Sequence, residues 1–289
     1  MTQTKASPTP AAPKHAPDDA HGAAPGTPLR RVEPMCWTAA ATATAERFIP
    51  EETPVALTYN GTTHAVMMAS PSDLEDFAYG FSLTEGQIER PEQIRSLDVE
   101  ILDEGIDLRI WLETDAAARF LDRRRRLSGP TGCGLCGIES LEAAVPTAAR
   151  VAVGGRFDAT SIGAAQRSMI DDQVLYQQTR AVHAAALWTP AEGLVALRED
   201  VGRHNALDKL AGALLRSGRT AAGALLLLTS RVSVEMVQKA AVLGAPVLVA
   251  VSAPTALAVR TAEAAGITLV ASARDGRFDV HTHAERILV

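Results

Sequence analysis

The second half of the chain repeats one pattern: a short, wholly apolar run, a few polar residues, then an amphipathic stretch. Leu194–Leu197 precedes Asn205–Leu215, Ala224–Thr229 precedes Ser233–Leu243, and Pro246–Val251 precedes Thr255–Ala265, with Ile267–Ala271 as a last run. A strand that is apolar on both sides must be covered on both faces, and a helix after each strand supplies the cover. The pattern predicts an α/β domain built on a largely parallel sheet. Ligands of such sheets lie beyond the carboxyl ends of the strands, where loops lead into helices.

Three of those loops are loaded with polar groups. Arg198-Glu199-Asp200-Val201-Gly202-Arg203-His204-Asn205 packs two acids, two arginines, an imidazole and an amide into eight positions, far denser than a solvated turn requires. Thr229-Ser230-Arg231-Val232-Ser233 brings hydroxyls and a guanidinium to a helix start, and Ser252-Ala253-Pro254-Thr255 brings small polar groups to another. Helix starts present free amides and a positive dipole end, which suit phosphate. Capping alone also explains the hydroxyls. Near the C-terminus, Ser272-Ala273-Arg274-Asp275-Gly276-Arg277 reads as a turn flanked by two phosphate-capable forks. Neither a Walker loop nor a Gly-x-Gly-x-x-Gly fingerprint occurs. His183, in the apolar run Val182–Leu187, reads first as a core residue and second as a minor site candidate.

Gly132-Cys133-Gly134-Leu135-Cys136-Gly137 surrounds two thiols with three glycines, a density that belongs to a loop. Half a zinc site, a thiol–disulfide pair and a nucleophile that carries a group on sulfur all fit the spacing. The other cysteine, Cys36, is nearly a hundred residues away, so a structural zinc site of four cysteines is excluded. The motif alone leaves redox exchange and sulfur carriage both open.

Composition sets the rest of the frame. Residues 1 to about 34 hold seven of the sixteen prolines and no aromatic residue, and are expected to form a disordered tail. Residues 35–127 are expected to form a small α+β lobe. Val55–Tyr59, Asn60-Gly61 and Thr62–Ala69 read as a hairpin, with further strands near Val99–Leu102 and Leu108–Leu112. Ser70-Pro71-Ser72-Asp73 reads as a capped start for the helix through Phe77 and Phe81. Thr114–Leu127 is a helix ending in Arg123–Arg126, cations suited to a helix terminus, and a further helical pattern runs from Ser161 to about Arg180. Residues 128–289 are expected to form the α/β domain, beginning with the thiol loop. A net charge of −6 gives no footprint for nucleic acid, three cysteines argue against a secreted disulfide framework, and the longest apolar runs are too short to span a bilayer. No signal peptide is expected, so the chain reads as cytoplasmic.

Taken together and in order, these pieces resemble the FdhD family of formate dehydrogenase accessory sulfurtransferases. The resemblance rests on Tyr59-Asn60-Gly61 with Asp76–Gly86, the Gly132–Gly137 thiol loop, Val182–Ala186, Glu199–Lys209, Ser230–Ser233 with Glu235–Lys239, and Val251–Thr255. It covers about residue 50 to the C-terminus and leaves out the proline-rich tail. Thr179-Arg180-Ala181 departs from the more usual glycine-rich approach to His183.

The resemblance implies a cytidine-deaminase-like, three-layer α/β/α fold with a smaller N-terminal α+β lobe, associating as a homodimer. It implies a persulfide carrier that takes sulfur from a cysteine desulfurase onto Cys133, with Cys136 as its neighbour. The sulfur is passed to the molybdenum bis(molybdopterin guanine dinucleotide) cofactor destined for formate dehydrogenase. Ser272, Ala273, Arg274, Asp275, Gly276 and Arg277 match the family's cofactor-binding segment, where GDP-like nucleotides are also expected. Ser230, Arg231, Arg203, His204, Ser252 and Thr255 are further candidates for that cofactor, and Asp200 is assigned to guanine's donors by chemical complementarity. No protein-bound metal, nucleic acid or membrane partner is expected. Three other readings compete: a zinc deaminase, whose His-x-Glu and Pro-Cys-x-x-Cys signature is here in the wrong order and spacing; a thiol–disulfide oxidoreductase using both Cys133 and Cys136; and a chaperone that only shelters the cofactor.

Overall fold

The computed structural model describes residues 26–39, 41–127, 148–152, 154–274 and 276–289, with the backbone alone for 121–127. Cys133, Cys136 and Asp275 lie outside the described residues, as does most of the expected tail. Structure begins earlier than composition suggested. Leu29–Val32 (β1) pairs antiparallel with Arg47–Pro50 (β4), and Met35–Trp37 (β2) with Thr42–Thr44 (β3), so the stretch up to residue 34 is not wholly tail.

The small lobe is a four-stranded sheet in the order β6-β5-β8-β7, from Thr53–Tyr59 (β5), Thr62–Ala69 (β6), Ile94–Leu102 (β7) and Gly105–Leu112 (β8). Asn60 and Gly61 turn the β5–β6 hairpin with φ of 48° and 76°, the left-handed region these residue types tolerate. Val55, Leu57, Leu108 and Ile110 alternate onto one face and are buried with Phe77 and Phe81 of α1 (Leu74–Thr84) and Phe120 of α2 (Thr114–Leu127). The start of α1 differs from expectation. Asp73, not Ser70, is its N-cap and makes no side-chain capping bond. Ser70 is buried and turned to the other lobe, its hydroxyl accepting from Val201 N at 3.1 Å.

The large lobe contains α3 (Ala159–Asp172), α4 (Val174–Thr179), β10 (His183–Thr189), β11 (Gly193–Asp200), α5 (Arg203–Arg216), β12 (Leu225–Leu228), α6 (Val234–Val242), β13 (Val247–Ala250), α7 (Ala256–Ala265), β14 (Thr268–Arg274) and β15 (Arg277–Val280). Their strands form one sheet in the order β11-β10-β12-β13-β14-β15. Period-two alternation splits its core. Leu226, Leu228, Leu248, Ala250 and Leu269 pack with α5, α6 and α7, whereas Leu225, Leu227, Val247, Val249 and Val270 face Ile162 and Met169 of α3. Each fully buried Leu or Val contributes about 1.5–3 kcal/mol, so the layered arrangement is dictated by apolar area. Phe157–Asp158 (β9) and Ile287–Leu288 (β16) add a two-stranded parallel pair.

The sheet is mixed, which corrects the largely parallel expectation. Only β12, β13 and β14 run parallel; β10 is antiparallel to both β11 and β12, and β15 to β14. The reason is connection length. A parallel crossover needs a dozen or more residues, and the three between Thr189 and Gly193, where φ is +75°, permit only a hairpin. No helix among the described residues is long and apolar enough to cross a membrane.

The lobes meet where α1 crosses α5. A Cβ on Gly80 would lie 1.6 Å from Asp208 O, and one on Gly212 1.9 Å from Asp76 O. Charges flank the crossing. Asp76 is paired with Arg198 and Arg216 at 2.7 and 2.6 Å, and Lys239 Nζ holds Asp208 at 2.7 Å and Thr84 Oγ1 at 2.9 Å. Burial works against the Lys239 charge, but Asp208 and Glu85 outweigh it and raise its pKa.

Candidate functional site

The carboxyl ends of β12, β13 and β14 lie side by side, and backbone bonds knit the loops that leave them. Val251 N donates to Leu228 O at 3.0 Å, Val232 N to Ala253 O at 3.2 Å, and Thr255 N to Val232 O at 2.9 Å. Ser272 N donates to Ser252 O at 3.2 Å, and Arg274 Nε to Val251 O at 3.1 Å. Ser230, Arg231, Ser252, Thr255, Ser272 and Arg274, spread over 45 residues, therefore share one edge of the sheet. Ser272 has φ of 53°, a left-handed conformation uncommon for serine that interrupts the β14–β15 register. Arg274 and Arg277 face each other across the turn made with Gly276, as the sequence suggested. Ala273 is buried and contributes a carbonyl that accepts from Gln166.

The antiparallel β10 carries His183 to the same edge. Thr229 N donates to Ala184 O at 3.1 Å, and Thr229 Oγ1 lies 3.5 Å from His183 Nδ1. The β10–β11 hairpin sets His183 opposite Asp200, next to the start of α5 where Arg203 and His204 sit. His183 is pushed down first by burial and then by Arg203. His204 is pushed down to about 4, by burial first and then by Arg203 and Lys239. Both imidazoles are consequently neutral at pH 7.

Two features make this edge receptive to an anion. Arg203 Nε and His204 Nε2 are buried without a hydrogen-bond partner among the described residues, an arrangement native proteins seldom leave without a use. The starts of α6 and α7 also differ. Thr255 closes α7 by accepting from Ala258 N at 3.2 Å, whereas Ser233 makes no side-chain capping bond to α6. A helix start presents amides and the positive dipole end, and here the first-turn Glu235 takes up part of that role, its carboxylate bonded to Ser233 and to its own N–H. Arg231, Arg274 and Arg277 are exposed around it. These residues fit the phosphate portion of a guanine dinucleotide.

Asp200 has a different part. Its carboxylate accepts from Ser70 N at 3.0 Å, Gly202 N at 2.7 Å and Asn205 Nδ2 at 3.0 Å, and pairs with Lys209 Nζ at 2.6 Å. Asp200 and Lys209 are both fully buried. With its acceptor positions engaged, Asp200 fixes the loop that presents Arg203 and His204, and guanine's donors would have to displace those bonds. Glu199 faces away from the edge and caps α4 through Leu175 N and Tyr176 N at 2.7 and 2.8 Å. Glu235, which was not among the expected site residues, is lowered in pKa against the opposing effect of burial, by its bonds to Ser233 and its own N–H first and by the nearby His204 and Arg203 after that. The available signal was an acid in the first turn of the helix that follows Arg231.

Comparison with known proteins follows the same residues. A profile of the FdhD/NarQ family matches residues 50–288. A sulfur carrier protein FdhD from Agrobacterium fabrum is 53% identical over 262 residues, spanning 90% of this chain and 96% of its own. One from Brucella abortus is 54% identical over 245 residues, 84% of this chain and 91% of its own. A solved structure described as a formate dehydrogenase accessory protein, from Desulfotalea psychrophila, superposes with a TM-score of 0.72 at 25% identity, covering 90% of this chain and all of that one. A match over this length places the chain in the FdhD/NarQ family.

Proposed function

We propose that this protein is a sulfur carrier serving formate dehydrogenase, with Cys133 as the residue that bears the sulfur. Its thiolate attacks the terminal sulfur of a persulfide on a cysteine desulfurase. The donor's S–S bond breaks, the donor cysteine leaves as thiolate, and charge is conserved. The acceptor is the molybdenum bis(molybdopterin guanine dinucleotide) cofactor. In this reading Arg203, Arg231, Arg274 and Arg277 hold its phosphates; Ser230, Ser252 and Ser272 supply hydroxyls; and neutral His183 and His204 offer ring nitrogens at the inner wall.

The observation that carries the proposal is the convergence of these groups, including the unpartnered Arg203 Nε and His204 Nε2, on one strand edge. The names of the relatives supply the sulfur chemistry. The expected kinship with cytidine deaminases belongs to the same proposal and is supported by the helical cover on both faces of β10–β14. So do a cytoplasmic setting and a homodimeric state.

Intact-protein mass spectrometry after incubation with a cysteine desulfurase and L-cysteine tests the reading. One added sulfur on wild type and on Cys136→Ala, absent from Cys133→Ala, is the expected result. A Cys133–Cys136 disulfide without added sulfur would instead establish a dithiol oxidoreductase. Cofactor binding with no adduct on any form would leave a sheltering chaperone.

A further inference from the structure

At the opposite end of the parallel strands, where β14 begins, a cavity of 710 Å³ is bordered by Arg150, Arg156, His283, Glu285 and Arg286. Thr268 and Arg274 mark the two ends of β14, so this cavity is about 20 Å from the edge described above, at roughly 3.3 Å per strand residue.

Its walls are fixed. Val151 N donates to Ala265 O at 2.8 Å, and Gly154 packs so closely that a Cβ there would lie 2.3 Å from Pro246 Cβ. These contacts anchor the segment that carries Arg150 and Arg156. Arg286, 8% exposed, comes from the far side. Its Nη1 donates to Thr268 Oγ1 at 3.0 Å, and its Nε is buried without an acceptor among the described residues. A buried guanidinium so sparsely bonded is costly unless something completes it.

Among the described residues no carboxylate forms an ion pair with Arg150, Arg156 or Arg286. The acids nearby are exposed: Glu285 lies 3.5 Å from His283 Nδ1 and Glu263 3.8 Å from its Nε2, and the Glu285 carboxyl, lowered first by its own backbone N–H and then by His283, is lowered also by the Arg286 charge. Three guanidiniums thus face a cavity much larger than one phosphate. Val151, Ala152 and Gly266 give it an apolar flank. Arginine forks match phosphoryl oxygens in pairs, and the apolar flank suits an organic portion.

We propose that this cavity binds a phosphate-bearing small molecule, with Arg150, Arg156 and Arg286 holding its phosphoryl oxygens. It is a second anion site, independent of the one assigned to the cofactor.

Titration calorimetry of the full chain with inorganic pyrophosphate, paired with hydrogen exchange, tests this. The expected result is saturable binding that slows amide exchange in residues 148–156 and 283–288. The double variant Arg150→Gln/Arg156→Gln, altered at exposed positions and expected to melt as wild type does, should weaken that event tenfold or more. Protection confined to residues 229–233 and 252–255, or equal affinity in the double variant, overturns the proposal. So does the absence of saturable binding.

Discussion

Asp200 and Lys209 form a salt bridge with neither partner reached by solvent. Such a pair adds little over an apolar filling, but removing one member strands the other charge and costs about 3–5 kcal/mol. Asp200→Asn and Lys209→Met should each lower unfolding stability by about that amount in urea titrations, and the double variant by clearly less than the sum. A double-variant loss equal to the sum of the two single losses would show that the charges act separately. The sequence marked Asp200 as important, and the structure shows its carboxylate bonded within the protein. A carboxylate among arginines and a histidine looks like a ligand, and what fixes its role is Ser70, 130 positions earlier, which no local pattern reveals. That Arg203, His204 and Ser230 would lie on loops at the strand ends was legible, because the strand–helix alternation places those loops there.

Among the elements, the α1–α5 crossing is the most exacting. Helix axes that pack at about 8–10 Å through ordinary side chains are brought closer where glycine removes the Cβ. Gly80→Ala or Gly212→Ala pushes a methyl carbon into a backbone carbonyl rather than a flexible side chain. Glycine to alanine in mid-helix is ordinarily favourable by about 1 kcal/mol; here each change should destabilise by about 3 kcal/mol or more, read as a lower melting temperature. A melting point unchanged or raised would mean the helices part without cost.

Both helices were legible from their apolar period, and so were the strands β5 to β8 and β11 to β14, whereas β1 to β4, β10 and β15 were not read as strands. What also escaped was pairing. The run at residues 183–187 offered no sign that it would turn back antiparallel beside β12, and Ser70-Pro71 imitates a helix start while serving the seam between lobes.

For the whole molecule, acid should be the disruptive condition. His204 is held near 4 in the folded protein and returns to about 6.5 when unfolded, and His183 is lowered as well. The unfolded chain therefore binds protons that the folded chain refuses. Stability is unaffected by these groups above about pH 6.5 and falls as pH drops from there towards 4, at up to ~1.4 kcal/mol per pH unit for each histidine. Glu199, raised by burial, opposes the trend, so the histidine contribution is isolated by comparison. His204→Gln should flatten the loss between pH 6.5 and 4, and an unaltered slope would mean that His204 takes its proton freely in the folded state.

The seam between the lobes bears on how the protein can be divided. Ser70, Asp76 and Thr84 belong to the first lobe, yet their partners Asp200, Lys209, Arg198, Arg216, Asp208 and Lys239 all belong to the second. Expressed alone, either half would expose a glycine-lined groove and carry charges whose counter-ions had been left behind. The boundary near residue 127 that composition suggests is a change in chain character, while mechanically the two lobes are one body that should melt in a single cooperative step.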